Sequence, residues 1–128
     1  MKVLEVVCAV IQKDDKIFIA QRGYGDYKDG WEFPGGKKEE KESYEQALIR
    51  EIQEELHASI KIEKKIGVFI KDYPTFIMHM HAYLCTLQSE YTLLEHEDAK
   101  WVKLQEVDIS SLLPVDQDIF RKIENFYQ

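Results

Sequence analysis

Gly35-Gly36-Lys37-Lys38-Glu39-Glu40-Lys41-Glu42-Ser43-Tyr44-Glu45-Gln46-Ala47-Leu48-Ile49-Arg50-Glu51-Ile52-Gln53-Glu54-Glu55-Leu56-His57 runs from a glycine pair through a charged loop into a helix. Ser43 with Gln46 three residues later forms a capping-box pattern, and Leu48, Ile49, Ile52 and Leu56 recur at helical spacing. The spacing predicts a helix from about Tyr44 to His57. At about 100° per residue, Glu54 and Glu55 fall about 60° and 40° to either side of Glu51, so three carboxylates share one arc. They repel each other there, beside the apolar arc of Leu48, Ile52 and Leu56 that must face a core. A glutamate-rich helix face is commonly just solvated. The glycine pair upstream favours a different reading, since a bare backbone carbonyl can approach a ligand there without a Cβ in the way. Magnesium takes one or two carboxylates together with substrate phosphates, so carboxylates beside an open loop suit a metal-phosphate site.

Outward from this stretch, Val3 to Ile11 is nearly all apolar, Lys13-Asp14-Asp15 supplies a turn, and Lys16 to Ala20 is apolar and β-branched, which reads as a hairpin. A polar, glycine-punctuated loop from Gly23 to Gly30 leads to Trp31-Glu32-Phe33, held extended by Pro34. Downstream of the helix, Ile60 to Ile70 and Thr75 to Leu87 read as long strands around a Tyr73-Pro74 break, with a short strand at Trp101-Val102. From Val115 to Tyr127, Ile119, Phe120, Ile123 and Phe126 recur at helical intervals after Pro114, with Asp116 as the expected N-cap. The order is that of a mixed α/β (α+β) fold, a sheet with helices packed on its faces.

With 128 residues the chain is expected to form a single domain over 1–128, and no apolar run approaches the ~20 residues of a membrane span. A soluble, cytoplasmic protein with no membrane partner is the expectation, with Cys8 and Cys85 reduced and buried in apolar runs. The net charge of -7 argues against gripping a nucleic acid polymer. An acidic protein that binds phosphates needs cations to help.

Gly36, Glu42 and Arg50-Glu51-Ile52-Gln53-Glu54-Glu55 stand at the spacing G-x5-E-x7-R-E-U-x-E-E, where U is aliphatic, and so resemble the box of the Nudix hydrolase family. Glu32-Phe33-Pro34-Gly35-Gly36-Lys37 resembles its MutT branch in particular. Two positions depart: His57 stands where the family has glycine, and Ala58 where it has a larger aliphatic residue. His57 is expected to end the helix in place of a glycine, with a left-handed backbone.

The resemblance implies an α/β/α sandwich with a mixed β-sheet. It also implies Mg2+ (or Mn2+) as cofactor and a nucleoside triphosphate as substrate, cut to the monophosphate and pyrophosphate; 8-oxo-dGTP and CTP are the candidates. By position it implies Gly36 (through its carbonyl), Glu51, Glu54, Glu55 and Glu95 as metal ligands. Arg50 would orient the glutamates through salt bridges, and Glu42 would support the loop or an outer-shell water. The catalytic set is Glu54, Glu51, Arg50 and Glu95, of which a carboxylate takes the proton of the attacking water. Glu95 lies six residues before Trp101, as an additional glutamate does in the branch, and Glu97 competes for that role. Arg22, Phe33 and Asp116 are the expected substrate contacts; their structural alternatives are a strand-end charge, a core side chain and a helix cap. An ionised Asp116 would accept hydrogen bonds only and so face donors on the base. The alternatives to this function are hydrolysis of another nucleoside diphosphate derivative and a non-catalytic nucleotide sensor. His79 and His81 share one face of a strand but lack a third soft ligand, and Trp101, Phe120 and Phe126 read as packing residues.

Overall fold

The computed structural model describes residues 1–126. Its centre is β1 (Lys2–Lys13), followed by β2 (Lys16–Gln21), β3 (Trp31–Glu32), β4 (Gly35–Lys37), α1 (Tyr44–Leu56), β5 (Ile60–Tyr73), β6 (Phe76–Leu87), β7 (Asp98–Lys103) and α2 (Pro114–Phe126). Two 3-10 turns, Leu104–Glu106 and Ile109–Ser111, link β7 to α2. The strand order is β3-β2-β1-β6-β5, with β4 also on β1 and β7 also on β2. Among the described strands, only β1 and β6 pair with each other in parallel, from Lys2 opposite Phe76 to Ile11 opposite Cys85. The sheet is therefore mixed, as expected.

The apolar run of β1 has no alternation because both of its faces are buried. Val7, Ala9 and Ile11 meet Ala47, Leu48, Ile52 and Leu56 of α1. Cys8 and Val10 lie in the opposite core with Ile119, Phe120 and Ile123 of α2. One edge of β1 is shared: β4 pairs at Val6 to Cys8, and β2 pairs further along at Gln12 and Lys13. This splits the sheet and leaves β3 and β4 diverging around Phe33-Pro34. Both cysteines are free and buried. Among the described residues, no helix is long and apolar enough to cross a membrane.

The helix caps follow the sequence. Ser43 accepts from the Gln46 N–H and Gln46 reaches back, while His57 closes α1 at φ 48 and ψ 46, in the left-handed region. Several expectations are corrected. The loop expected at Gly35 to Lys37 is strand β4, because a Cβ at Gly35 would collide with the Val7 carbonyl and lie 2.7 Å from the Cys8 Cα, a closeness only glycine permits. β5 runs on to Tyr73 and β6 begins at Phe76, so the turn is Pro74-Thr75, with the Tyr73 and Phe76 rings stacked at 4.8 Å. β7 extends beyond Trp101-Val102 along the whole of β2. α2 begins at Pro114, the position in a first turn that proline suits, which puts Asp116 inside that turn rather than at the N-cap. Phe126 is exposed, its ring under the Lys64 ammonium, so only Phe120 of that pair is core. The helix was expected to reach Tyr127, which lies outside the described residues.

Candidate active site

α1 delivers its charged face to the loop that enters it, and Arg50 fastens the two together. Its guanidinium donates to both Glu42 oxygens at 2.6 and 3.0 Å and to the Lys37 carbonyl at 2.9 Å. The same side chain reaches Glu54 at 3.2 Å and Glu51 at 3.6 Å. Arg50 holds the Glu42 carboxyl down at about 2, and Glu42 in turn raises the Arg50 guanidinium above its ordinary value. Gly36 lies against Glu51 so closely that a Cβ there would collide with the carboxylate.

The acids differ in exposure. The Glu54 side chain is 55% exposed, whereas Glu51 is 14% exposed and raised by burial against the opposing pull of Arg50. Glu55 is buried and pushed up to about 9 by burial and by Glu51, Glu32 and Glu95, with only the Gly35 N–H opposing the shift. Negative groups therefore outnumber their partners at this spot. Among the described residues, no three His, Cys, Asp or Glu side chains are gathered into a ready-made metal cage. Carboxylates of unbalanced charge beside a bare glycine fit a cation that completes its coordination with water and phosphate oxygens.

Two cavities meet at this face. One of about 380 Å³ is lined by Gly36, Glu55, Glu95, His96, Glu32 and Arg22, among others. The other, of about 690 Å³, is lined by Arg22, Phe33, Gly36, Tyr73, Met80 and Asp116, among others. Arg22, Glu32 and Gly36 belong to both walls, so the acidic recess and the larger apolar hollow are neighbours. The structure thus gathers Gly36, Glu55, Glu95 and Arg22 on one side and Arg22, Phe33 and Asp116 on the other. Glu54 lines neither cavity and stays with Arg50.

Phe33 and Asp116 meet at the wall of the larger cavity. Phe33 is buried in the α2-side core and also lines the larger cavity. Its N–H donates to Asp116 Oδ1 at 3.0 Å, tying the start of α2 to the glycine-rich loop. Asp116 is 2% exposed, and burial pushes its carboxyl up to about 8, with Phe33 and Arg22 pulling the other way. Burial thus favours the protonated form, in which the carboxyl can donate as well as accept.

Glu32 and His96 carry structure that the sequence did not single out. Arg22 donates to Glu32 at 2.7 and 3.4 Å and to the Asp26 carbonyl at 2.9 Å. Burial would raise Glu32, but the hydrogen bonds from His96 and Arg22 outweigh it and hold the carboxyl below its ordinary range. The only available signals were the position of Glu32 in the segment entering the glycine pair and that of His96 beside Glu95. Elsewhere, Glu5 bridges His79 and His81 at 3.1 and 3.0 Å, with Tyr44 stacked on His81, which accounts for those histidines structurally.

A family model described as "NUDIX domain" matches residues 1–125. The chain is 37% identical over 122 residues to the CTP pyrophosphohydrolase of Escherichia coli (strain K12), covering 91% of this chain and 87% of that one. It is 38% identical over 87 residues to the 8-oxo-dGTP diphosphatase of Proteus vulgaris, covering 66% and 78%. The solution structure of the E. coli ORF135 protein is similar with a TM-score of 0.89 and 32% identity, covering 99% of this chain and 92% of that one.

Proposed function

This chain belongs to the NUDIX family, and from that premise we propose that it is a metal-dependent nucleoside triphosphate pyrophosphohydrolase, releasing the monophosphate and pyrophosphate. It is a hydrolase of acid anhydrides, of the MutT-like kind that acts on nucleotide derivatives. The observation that carries the finer reading is the junction of an acid-rich recess with an apolar cavity of about 690 Å³ that ends on Phe33 and Asp116. Such a pair suits a charged phosphate chain at one end and a base at the other.

In this reading the Gly36 carbonyl, Glu51, Glu54, Glu55 and Glu95 would hold Mg2+ or Mn2+. When bound, the cation offsets charge that develops on the phosphate oxygens. Arg50 keeps Glu51 and Glu54 turned toward the loop. A carboxylate among Glu51, Glu54 and Glu95 accepts the proton of the attacking water. Arg22, steadied by Glu32, supplies positive charge between the two cavities. Asp116, with one oxygen taken by the Phe33 N–H, offers the other to the base as donor or acceptor.

A neutral carboxyl matches a base edge with a donor beside an acceptor. Every base has one on some edge; cytosine presents it at N4 and N3, and 8-oxoguanine gains an N7 hydrogen next to O6 where guanine has only acceptors. CTP and 8-oxo-dGTP are the proposed substrates, in keeping with the two relatives. A panel of ordinary and oxidised triphosphates with magnesium, ranked by kcat/KM, tests this. CTP or 8-oxo-dGTP should lead, with pyrophosphate and not orthophosphate as co-product. Cleavage of ADP-ribose or a nucleotide sugar in preference to every triphosphate would refute the reading, as would nucleotide binding without turnover.

A further inference from the structure

The segment 92–97 is pinned at both ends. The Thr92 N–H donates to the Leu56 carbonyl at 2.7 Å and the Leu94 N–H to the Glu55 carbonyl at 3.1 Å, which satisfies two orphan carbonyls at the end of α1. The Glu97 N–H donates to the Gln21 carbonyl at 2.9 Å, at the end of β2. Between these pins the His96 side chain is 6% exposed. Its Nε2 stands 3.1 Å from Glu32 Oε2 and 3.7 Å from Glu55 Oε2. Its Nδ1 is buried without a partner.

A buried nitrogen with no partner is unfavourable for folding, and a phenyl ring would fill the same space without it. What the imidazole adds is the other nitrogen, facing two carboxylates from different elements. Glu32 comes from β3 and holds Arg22; Glu55 comes from α1 and accepts from the Gly35 N–H. We propose that His96 is a positioning residue, whose Nε2–H holds Glu32 while the same ring edge stands 3.7 Å from Glu55, and so sets the arginine facing the substrate and the glutamate facing the cation against each other. The inference rests on the metal site proposed above. A cation drawing on Glu55 then finds a carboxylate whose orientation is already restricted by a buried ring on a doubly pinned segment. Partners that orient a ligating carboxylate commonly carry about tenfold or more in metal affinity.

The test is manganese binding to the nucleotide-free protein, by electron paramagnetic resonance or titration calorimetry, together with kcat and KM. His96→Phe keeps the bulk and removes the donor. It should weaken manganese about tenfold and lower kcat, with KM for the nucleotide changing less. His96→Gln, whose amide nitrogen falls near the place of Nε2, should restore most of both. Manganese affinity in His96→Phe equal to that of the wild type overturns the proposal. If His96→Phe does not fold, His96→Asn takes its place, because its amide falls near Nδ1 instead. Binding kept by Gln and lost by Asn supports the proposal, and equal behaviour of the two overturns it. Glu54→Gln is the control for the site itself. Wild-type protein whose manganese binding is indifferent to Glu54→Gln overturns the metal reading, and this inference with it.

Discussion

The two helices approach the sheet from opposite sides, and each brings acid to the same end of it. On α1 the acids come as a group, and the two nearest Arg50 are tied to a guanidinium at 3.2 and 3.6 Å. On α2, Asp116 is buried apart from any such group at the wall of the larger cavity, and one of its oxygens accepts the Phe33 N–H. A carboxylate beside a cation keeps its charge at modest exposure, whereas one enclosed among apolar groups takes up a proton. Glu55 stands between these cases. It belongs to the group by sequence, but by burial it behaves like Asp116, pushed up to about 9 against about 8. The comparison teaches that the α1 site is incomplete in charge and the α2 site is complete. In the proposed reading the first takes a cation and the second meets a base edge.

The most severe way to break this comparison is to remove charge from the α1 group. Glu54→Gln should lower kcat at saturating magnesium by ~100-fold or more, about 2.7 kcal/mol, with little change in the melting temperature of the metal-free protein. Near-normal turnover would show that the exposed glutamate is only a solvated partner of Arg50. Gly36→Ala is next. The added methyl drives the Glu51 carboxylate from its place, and a displacement on the order of 1 Å is expected to cost roughly 10- to 100-fold in kcat. Steady-state kinetics against the variant's own melting curve would separate that effect from misfolding.

On the α2 side the expected effects are smaller and concern selection. Asp116→Ala should lower kcat/KM for the best substrate by about tenfold and narrow its lead over other triphosphates, with magnesium dependence unchanged. Asp116→Asn, which imitates the neutral carboxyl, should stay within about threefold of the wild type at pH 7. It also sharpens the comparison through pH. With the folded group at about 8 against an ordinary 3.8, the unfolded chain releases its proton first, so wild-type stability falls as pH climbs between those values. Asparagine has no such proton. The melting-temperature advantage of Asp116→Asn should therefore widen from about pH 4 to pH 8 and then level off. An offset that is the same at every pH would mean Asp116 is ionised in the fold.

The smallest effect is expected away from both acids. Ser43→Ala removes the cap of α1 and should lower stability by about 1 kcal/mol, a few degrees in melting temperature, while kcat is unchanged. A loss of turnover in this variant would make helix entry part of the site.

How much could be read beforehand follows the same division. The α1 group was legible because i, i+3 and i+4 spacing fixes which side chains share a face, whatever the rest of the chain does. The Ser43 cap and the left-handed His57 were legible for the same local reason. β4 was not, because two glycines carry no strand preference, and what makes them a strand is the approach of Val7 and Cys8 from β1. The burial of Asp116 in the first turn of α2 and its hydrogen bond from Phe33 depend on residues distant in sequence. Glu32 and His96 were hidden for a related reason: each looks like an ordinary surface residue until Arg22, Glu55 and the pinned 92–97 segment surround it.

The parallel pairing of β1 with β6 has a consequence for how the chain is made. β1 leaves the ribosome before β6, so Lys2 to Ile11 must wait for Phe76 to Cys85, more than half of these 128 residues later, before that edge is covered. The β2 hairpin, β4 and α1 all become available earlier and can shelter the other edge and one apolar face in the meantime. Until β6 arrives, the nascent protein carries a long strand, uncharged from Val6 to Gln12, with an open edge, the kind of surface that chaperones hold and that neighbouring chains can capture.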